Sequence, residues 1–236
     1  DPNWKNAEPF CRNDKLIEAV EAVEAGFDGV DVKSCHGYLF QELLSAFHRE
    51  GRYGGSFENR TRLYLDCVKA VKAVIPEGIL LTTRLSVSDM VPYPYGFGTT
   101  AEGELDLTEP DLLLERLVAE GVQMLNVTVG NPYYNPHVNR PYRKGGYNPP
   151  ETPAEGLARF EVIEKHVKEN FPTLTVVGSG LSYYRDDLFQ VAERVVRDGK
   201  IITAAGMGVA QEFGFEIISA LVSPEKAGEI RSAIQS

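Results

Sequence analysis

Short apolar runs alternate with longer amphipathic ones along the 236 residues of the chain. Over 28–33, Val30 and Val32 alternate with Asp31 and Lys33, the period-two pattern of a half-buried strand. Apolar runs at 79–85, 123–129, 174–178 and 200–204 read as further strands. Residues 14–25 place Leu16, Ile17, Val20 and Val23 at helical spacing and stop at Gly26, a residue suited to ending a helix. The amphipathic pattern recurs at 59–74, 109–120, 154–169 and 184–198, and Ser56 is placed to cap the first of these. Strands that alternate with helices in this way predict right-handed βαβ units and a parallel sheet, here of about five strands.

Composition narrows the class. With 43% hydrophobic residues and no compositional break, 1–236 reads as a single domain able to bury a substantial core. A net charge of −10 disfavours a nucleic-acid partner, which calls for clustered Lys and Arg. No apolar run reaches the roughly 18 to 20 residues needed to span a bilayer, and no signal peptide is read at Asp1, so a cytoplasmic protein without a membrane partner is expected. Cysteines at 11, 35 and 67 are too scattered for a disulfide framework, and no CxxC pair points to zinc or an iron–sulfur cluster.

Candidate chemistry gathers where strands end. Lys33, Cys35, His36 and Tyr38 follow the first strand, the position at which α/β enzymes place reactive groups. His36 is either a catalytic donor or a histidine satisfied by a neighbouring carbonyl. Tyr38 is either a proton donor or an aromatic wedged under the loop. Cys35 reads as structural, because a thiol adjacent in sequence to a histidine lacks the opposed geometry of a nucleophilic dyad. Arg84 ends the apolar run Ile79-Leu80-Leu81-Thr82-Thr83, where a guanidinium is costly unless it meets an anion or acceptor; Asp31 and Asp89 are the internal alternatives to a ligand. Gly178-Ser179-Gly180 follows the strand at 174–178, and its backbone N–H groups are positioned to approach a phosphate. The long stretches 130–153 and 92–107, rich in Pro and Tyr, read as loops over the catalytic face, with Arg140 or Arg143 offering an anion contact.

Three motifs occur in order: Ala25-Gly26-Phe27-Asp28-Gly29-Val30, then His36-Gly37-Tyr38-Leu39, then Tyr53-Gly54-Gly55-Ser56-Phe57-Glu58-Asn59-Arg60. Thr83-Arg84-Leu85-Ser86 and Val177-Gly178-Ser179-Gly180 continue the series more weakly. Together they resemble the old yellow enzyme family of FMN-dependent NADH:flavin oxidoreductases and ene-reductases, including its 2,4-dienoyl-CoA reductase branch, over the later part of the family's chain. The resemblance implies an α/β fold of the TIM (β/α)8 barrel family, here a partial barrel of about five βα units that begins near the family's fourth strand. It implies FMN as cofactor, NAD(P)H as reductant and a small-molecule electron acceptor. His36 would bind the acceptor oxygen, Tyr38 would deliver a proton, and Arg84 would contact the flavin ring near N1 and O2. Lys33 stands where the family usually has His. Gly178, Ser179 and Gly180, with Gly206 and Met207, would form the phosphate site, although Met207 replaces the family's arginine there and leaves Lys200 as a substitute. An incomplete barrel has open edges, so a homo-oligomer or a companion N-terminal barrel half is expected as partner. Two alternatives stand beside this reading: a phosphate-ligand barrel lyase or isomerase using Lys33 as a Schiff-base amine, and a flavin-free barrel remnant acting as a binding or assembly module.

Overall fold

The structure is a computed structural model, and it describes residues 17–142, 146–180, 195–198, 201–204 and 210–234. After helix α1 (17–24), the order is β1 (Gly29–Ser34), α2 (Leu39–Leu44), α3 (Phe57–Val74), β2 (Leu80–Ser88), α4 (Thr108–Ala119), β3 (Met124–Val129), α5 (Pro136–Asn139), α6 (Pro153–Asn170), β4 (Thr175–Val177), β5 (Val195–Asp198), β6 (Ile201–Ala204), α7 (Ala210–Leu221) and α8 (Pro224–Ile234). One sheet runs β1-β2-β3-β4-β6-β5. β1, β2, β3, β4 and β6 are parallel neighbours, matching the expected strands within a few residues. Sequential parallel strands joined by helices are the architecture of part of a (β/α)8 barrel.

The helix expected over 184–198 is corrected at its end, where Val195–Asp198 forms β5 antiparallel to β6. Two adjacent β-branched valines fit an extended edge, and the short link to β6 permits a hairpin. The rest of that stretch, 184–194, lies outside the described residues. Helices α2, α5, α7 and α8 were not anticipated.

Strand side chains alternate between two faces. On one, Val32, Leu81, Leu85, Leu125, Val127, Val129 and Val176 are buried in a core shared with Leu63, Val68, Val71, Leu113, Leu117 and Phe160. Thr83 lies on this face and hydrogen-bonds the Tyr64 hydroxyl of α3, which identifies it as the helix side. The opposite face carries Asp31 and Lys33 of β1, Thr82, Arg84 and Ser86 of β2, and Met124, Asn126 and Thr128 of β3. A barrel of this type turns such a face inward.

The Tyr53–Arg60 motif serves this packing. Ser56 caps α3 by accepting from Asn59 N at 3.3 Å. Arg60, 2% exposed, donates to Gly55 O at 2.9 Å and Leu44 O at 2.5 Å, pairs with Glu109 of α4, and lies 3.9 Å from the Phe47 ring centre. One buried guanidinium thus ties the ends of α2, α3 and α4 together. Among the described residues, no helix is long and apolar enough to cross a membrane.

Candidate active site

Lys33, Arg84 and Asn126 are register partners across β1, β2 and β3, one row on the polar face near the carboxyl ends of the strands. Arg84 Nε and Asn126 Oδ1 are buried without a hydrogen-bond partner. Leaving such groups unsatisfied costs about 1–3 kcal/mol each, so their concentration on one face marks a place built for a polar ligand. Neither internal partner expected for Arg84 forms an ion pair with it among the described residues. Asp31 accepts instead from Thr82 Oγ1 at 3.2 Å. Asp89 takes the Gln41 amide at 2.6 Å and Phe97 N at 2.9 Å.

The loop leaving β1 turns sharply through two left-handed residues, His36 at φ 64° and Gly37 at φ 70°. Positive φ in a residue with a side chain stores strain and is concentrated at functional sites. Gly37 is required for a second reason: a Cβ there would lie 2.6 Å from the Tyr133 ring. Burial, and after it the charges of Lys33, Arg84 and Arg140, push the His36 pKa down to about 4. The imidazole is therefore neutral near pH 7, with one ring N–H to donate. Lys33 Nζ sits 3.9 Å from the centre of the exposed Tyr38 ring. Cys35 is fully buried and its thiol is pushed up to about 11, chiefly by burial, which suits the structural role expected of it.

Beneath the loops lies a buried amide network. Gln41 accepts from Gly37 N at 2.5 Å and donates to Asp89 and to Gly130 O, joining the loops that follow β1, β2 and β3. Asn135 donates to Asp89 O and Met90 O, both at 2.9 Å, and accepts from Asn131 N at 2.6 Å. Asn139 donates to Val129 O at 3.1 Å. Burial raises the Asp89 pKa to about 6 against the hydrogen bonds it accepts.

Sequence reasoning did not single out Asn126, Thr128 or Gln41. A signal existed for Asn126, an amide inside the apolar run 123–129 and as anomalous there as Arg84 in its own strand.

Gly178-Ser179-Gly180 departs from the phosphate cradle expected of it. Gly178 N donates to Ile202 O at 3.1 Å, Ser179 N to Glu164 Oε1 at 3.3 Å, and Ser179 Oγ to Val127 O at 2.5 Å. The Glu164 carboxyl fills the space beside Gly178, 2.8 Å from where a Cβ would stand, and burial pushes its pKa up to about 7. Two of the three N–H groups are thus engaged, one by an acidic side chain. Gly206, Met207, Lys200 and Arg143 lie outside the described residues. Arg140 is exposed, and its charge is the smallest of those that lower the His36 pKa.

Residues 17–104 match the NADH:flavin oxidoreductase / NADH oxidase family. An NADH:flavin oxidoreductase of Gibberella zeae is 28% identical over 191 residues, covering 80% of this chain and 44% of that protein. A putative 12-oxophytodienoate reductase of Oryza sativa subsp. japonica is 34% identical over 155 residues, covering 59% and 41%. An NADH oxidase of Thermoanaerobacter brockii is 29% identical over 200 residues, covering 83% and 27%. The chain therefore spans less than half the length of these relatives. Among solved structures, the fold is similar to histamine dehydrogenase from Rhizobium sp. 4-9, with a TM-score of 0.53, 22% identity, and coverage of 74% of this chain and 22% of that one. It is also similar to 6-hydroxypseudooxynicotine amine oxidase from Pseudomonas geniculata N1, with a TM-score of 0.54, 22% identity, and coverage of 74% and 23%. Over residues 17–104 the chain is thus similar to the NADH:flavin oxidoreductase / NADH oxidase family, and over a longer stretch to proteins that carry those names.

Proposed function

We propose that this site serves an FMN-dependent oxidoreductase that passes a hydride from NAD(P)H, by way of the flavin, to an electron-poor alkene or similar small-molecule acceptor. The observation that carries the reading is the pairing of an unpartnered buried donor, Arg84 Nε, with an unpartnered buried acceptor, Asn126 Oδ1, on adjacent strands. The pyrimidine edge of an isoalloxazine offers acceptors at N1 and O2 and a donor at N3, so these side chains fit the ring edge. Bound FMN supplies a carrier that takes a hydride from one substrate and gives it to the next. The phosphate end finds no comparable fit at Gly178 and Ser179, whose N–H groups are already engaged.

The chain's own groups divide the remaining work. Arg84 would hold the ring edge of a bound flavin and would supply a fixed positive charge beside it. Neutral His36 donates its ring N–H to the acceptor oxygen, with Lys33 beside it stabilising the charge that develops there. Tyr38 delivers the proton that completes the reduction. Overall, NAD(P)H and one proton become NAD(P)+ while the alkene π bond is replaced by two C–H bonds. The Gln41 network holds the three loops in register, so that these groups converge. A cytoplasmic location, where NAD(P)H is supplied, and an oligomer or companion barrel half that covers the open sheet edge belong to the same reading.

The relatives carry oxidoreductase names, which favours this reading over the lyase and the binding-module alternatives. The test is an anaerobic spectrum of the chain after loading with excess FMN and desalting. Retained flavin absorbance near ~450 nm that NADH or NADPH bleaches, and that 2-cyclohexenone restores, is the expected result. Retained flavin that neither nucleotide bleaches contradicts the proposed reaction.

A further inference from the structure

Helix α6 accounts for both glycines of the Gly178-Ser179-Gly180 turn. Phe160 and Glu164 stand one helical turn apart on its buried face. A Cβ on Gly180 would lie 2.8 Å from the Phe160 ring, and one on Gly178 would lie 2.8 and 3.1 Å from the two Glu164 carboxyl oxygens. The close approach that glycines grant a ligand is here taken by side chains of the chain itself. Glu164 is the unexpected one of the pair. It shares its helix face with Phe160, Ile163 and Val167, where a buried carboxyl is costly unless it is bonded. Ser179 N donates to it at 3.3 Å, and no ion pair to it is found among the described residues. The other donors of the turn are spent on the sheet, Gly178 N on Ile202 O and Ser179 Oγ on Val127 O.

Resting on the flavin-linked reading above, we propose that Glu164 is a built-in anion standing where this turn would hold a phosphate, so that the chain grips a flavin by its ring and does not distinguish FMN from riboflavin. A phosphate monoester carries a charge of about −1.5 to −2 near pH 7. Brought to this turn, it meets an acceptor where it needs a donor, and a like charge once Glu164 is ionised. Glu164 therefore acts as a specificity-determining residue by exclusion. It withholds from FMN the affinity that the phosphate would add, and it takes nothing from riboflavin.

The test compares dissociation constants for FMN and riboflavin, read by quenching of flavin fluorescence, in the full chain, Glu164→Gln and Glu164→Ala. It is run at about pH 8, above the Glu164 pKa that burial pushes up to about 7, so that the carboxylate is ionised. The unmodified chain is expected to bind the two flavins within about threefold of each other. Glu164→Gln keeps the side chain's shape, removes its charge and adds an N–H donor. It should tighten FMN binding by about tenfold while riboflavin stays within about twofold. Glu164→Ala frees Ser179 N and should move the ratio the same way, which covers the case in which the glutamine is misplaced; circular dichroism confirms that each variant is folded. A preference of the unmodified chain for FMN beyond about threefold, or a ratio that neither variant raises, overturns the proposal. Riboflavin keeps the two readings apart. If it binds and FMN binds far more tightly, this inference fails alone; if neither flavin binds, the flavin reading fails and takes this inference with it.

Discussion

His36 is held in a left-handed turn and kept neutral near pH 7 by burial first and by the charges of Lys33, Arg84 and Arg140 after it, so in the proposed reaction its ring N–H would be a donor that does not titrate near neutral pH. The pH profile of kcat/KM for a neutral alkene should therefore lack a histidine limb between about pH 5.5 and 8. An inflection near 6.5 that disappears in His36→Asn would contradict this placement. Gly37 is the most sensitive neighbour. Gly37→Ala meets both the positive φ and the Tyr133 ring, and should cost about 1–3 kcal/mol in urea denaturation, whereas a neutral result would show that the turn is not fixed as drawn. At this scale the sequence disclosed what breaks a pattern. Arg84 was visible because it interrupts an apolar run, and His36 because it follows one. Asn126 interrupts a run equally, yet its value appears only once register places it beside Arg84. The engagement of Ser179 N by Glu164 joins residues 15 apart, and nothing in a Gly-Ser-Gly turn announces the carboxylate that fills it.

Among the elements, α2, α3 and α4 are tied together at their ends by Arg60. Its guanidinium satisfies carbonyls of Gly55 and Leu44 and pairs with Glu109. Arg60→Met leaves those carbonyls and a carboxylate without their donor. It should lower stability by about 3–5 kcal/mol, seen as a shifted chemical-denaturation midpoint, and a shift below about 1 kcal/mol would show the clamp to be dispensable. The parallel strands were legible because a buried strand has little choice but a short apolar run bounded by breakers. β5 was not, since Val195-Val196 followed by Arg197-Asp198 continues an amphipathic stretch, and only pairing with β6 turns it into a strand. Short α2 and α5 escaped for a related reason: four to six residues carry too little periodicity to register.

Across the whole molecule, two buried carboxyls and one half-buried imidazole contribute to how stability follows pH. Asp89 and Glu164, with pKa values raised to about 6 and about 7, hold protons in the folded state that the unfolded chain has already released. Stability therefore falls as pH rises from their ordinary values toward those raised ones. His36 acts oppositely between about 4 and 6.5, where the unfolded chain binds the extra proton and stability rises with pH. Above that window Glu164 dominates. Glu164→Gln should gain Tm relative to the unmodified chain as pH is raised from about 5 to 8, and a pH-independent difference would contradict the assignment. The barrel fold was legible from three ordered motifs, whereas the apolar core face and the opposite polar face required strand register.

The proposed function requires that the unpartnered Arg84 and Asn126 on β2 and β3 receive a flavin ring. The most direct measurement is the FMN dissociation constant, read by quenching of flavin fluorescence, for the unmodified chain, Arg84→Met and Asn126→Leu. Saturable binding that weakens by at least about tenfold in each variant, with folding intact, is the predicted result, consistent with roughly 1.4 kcal/mol or more from each buried polar contact. No saturable binding by the unmodified chain, or equal affinity in all three proteins, would contradict it.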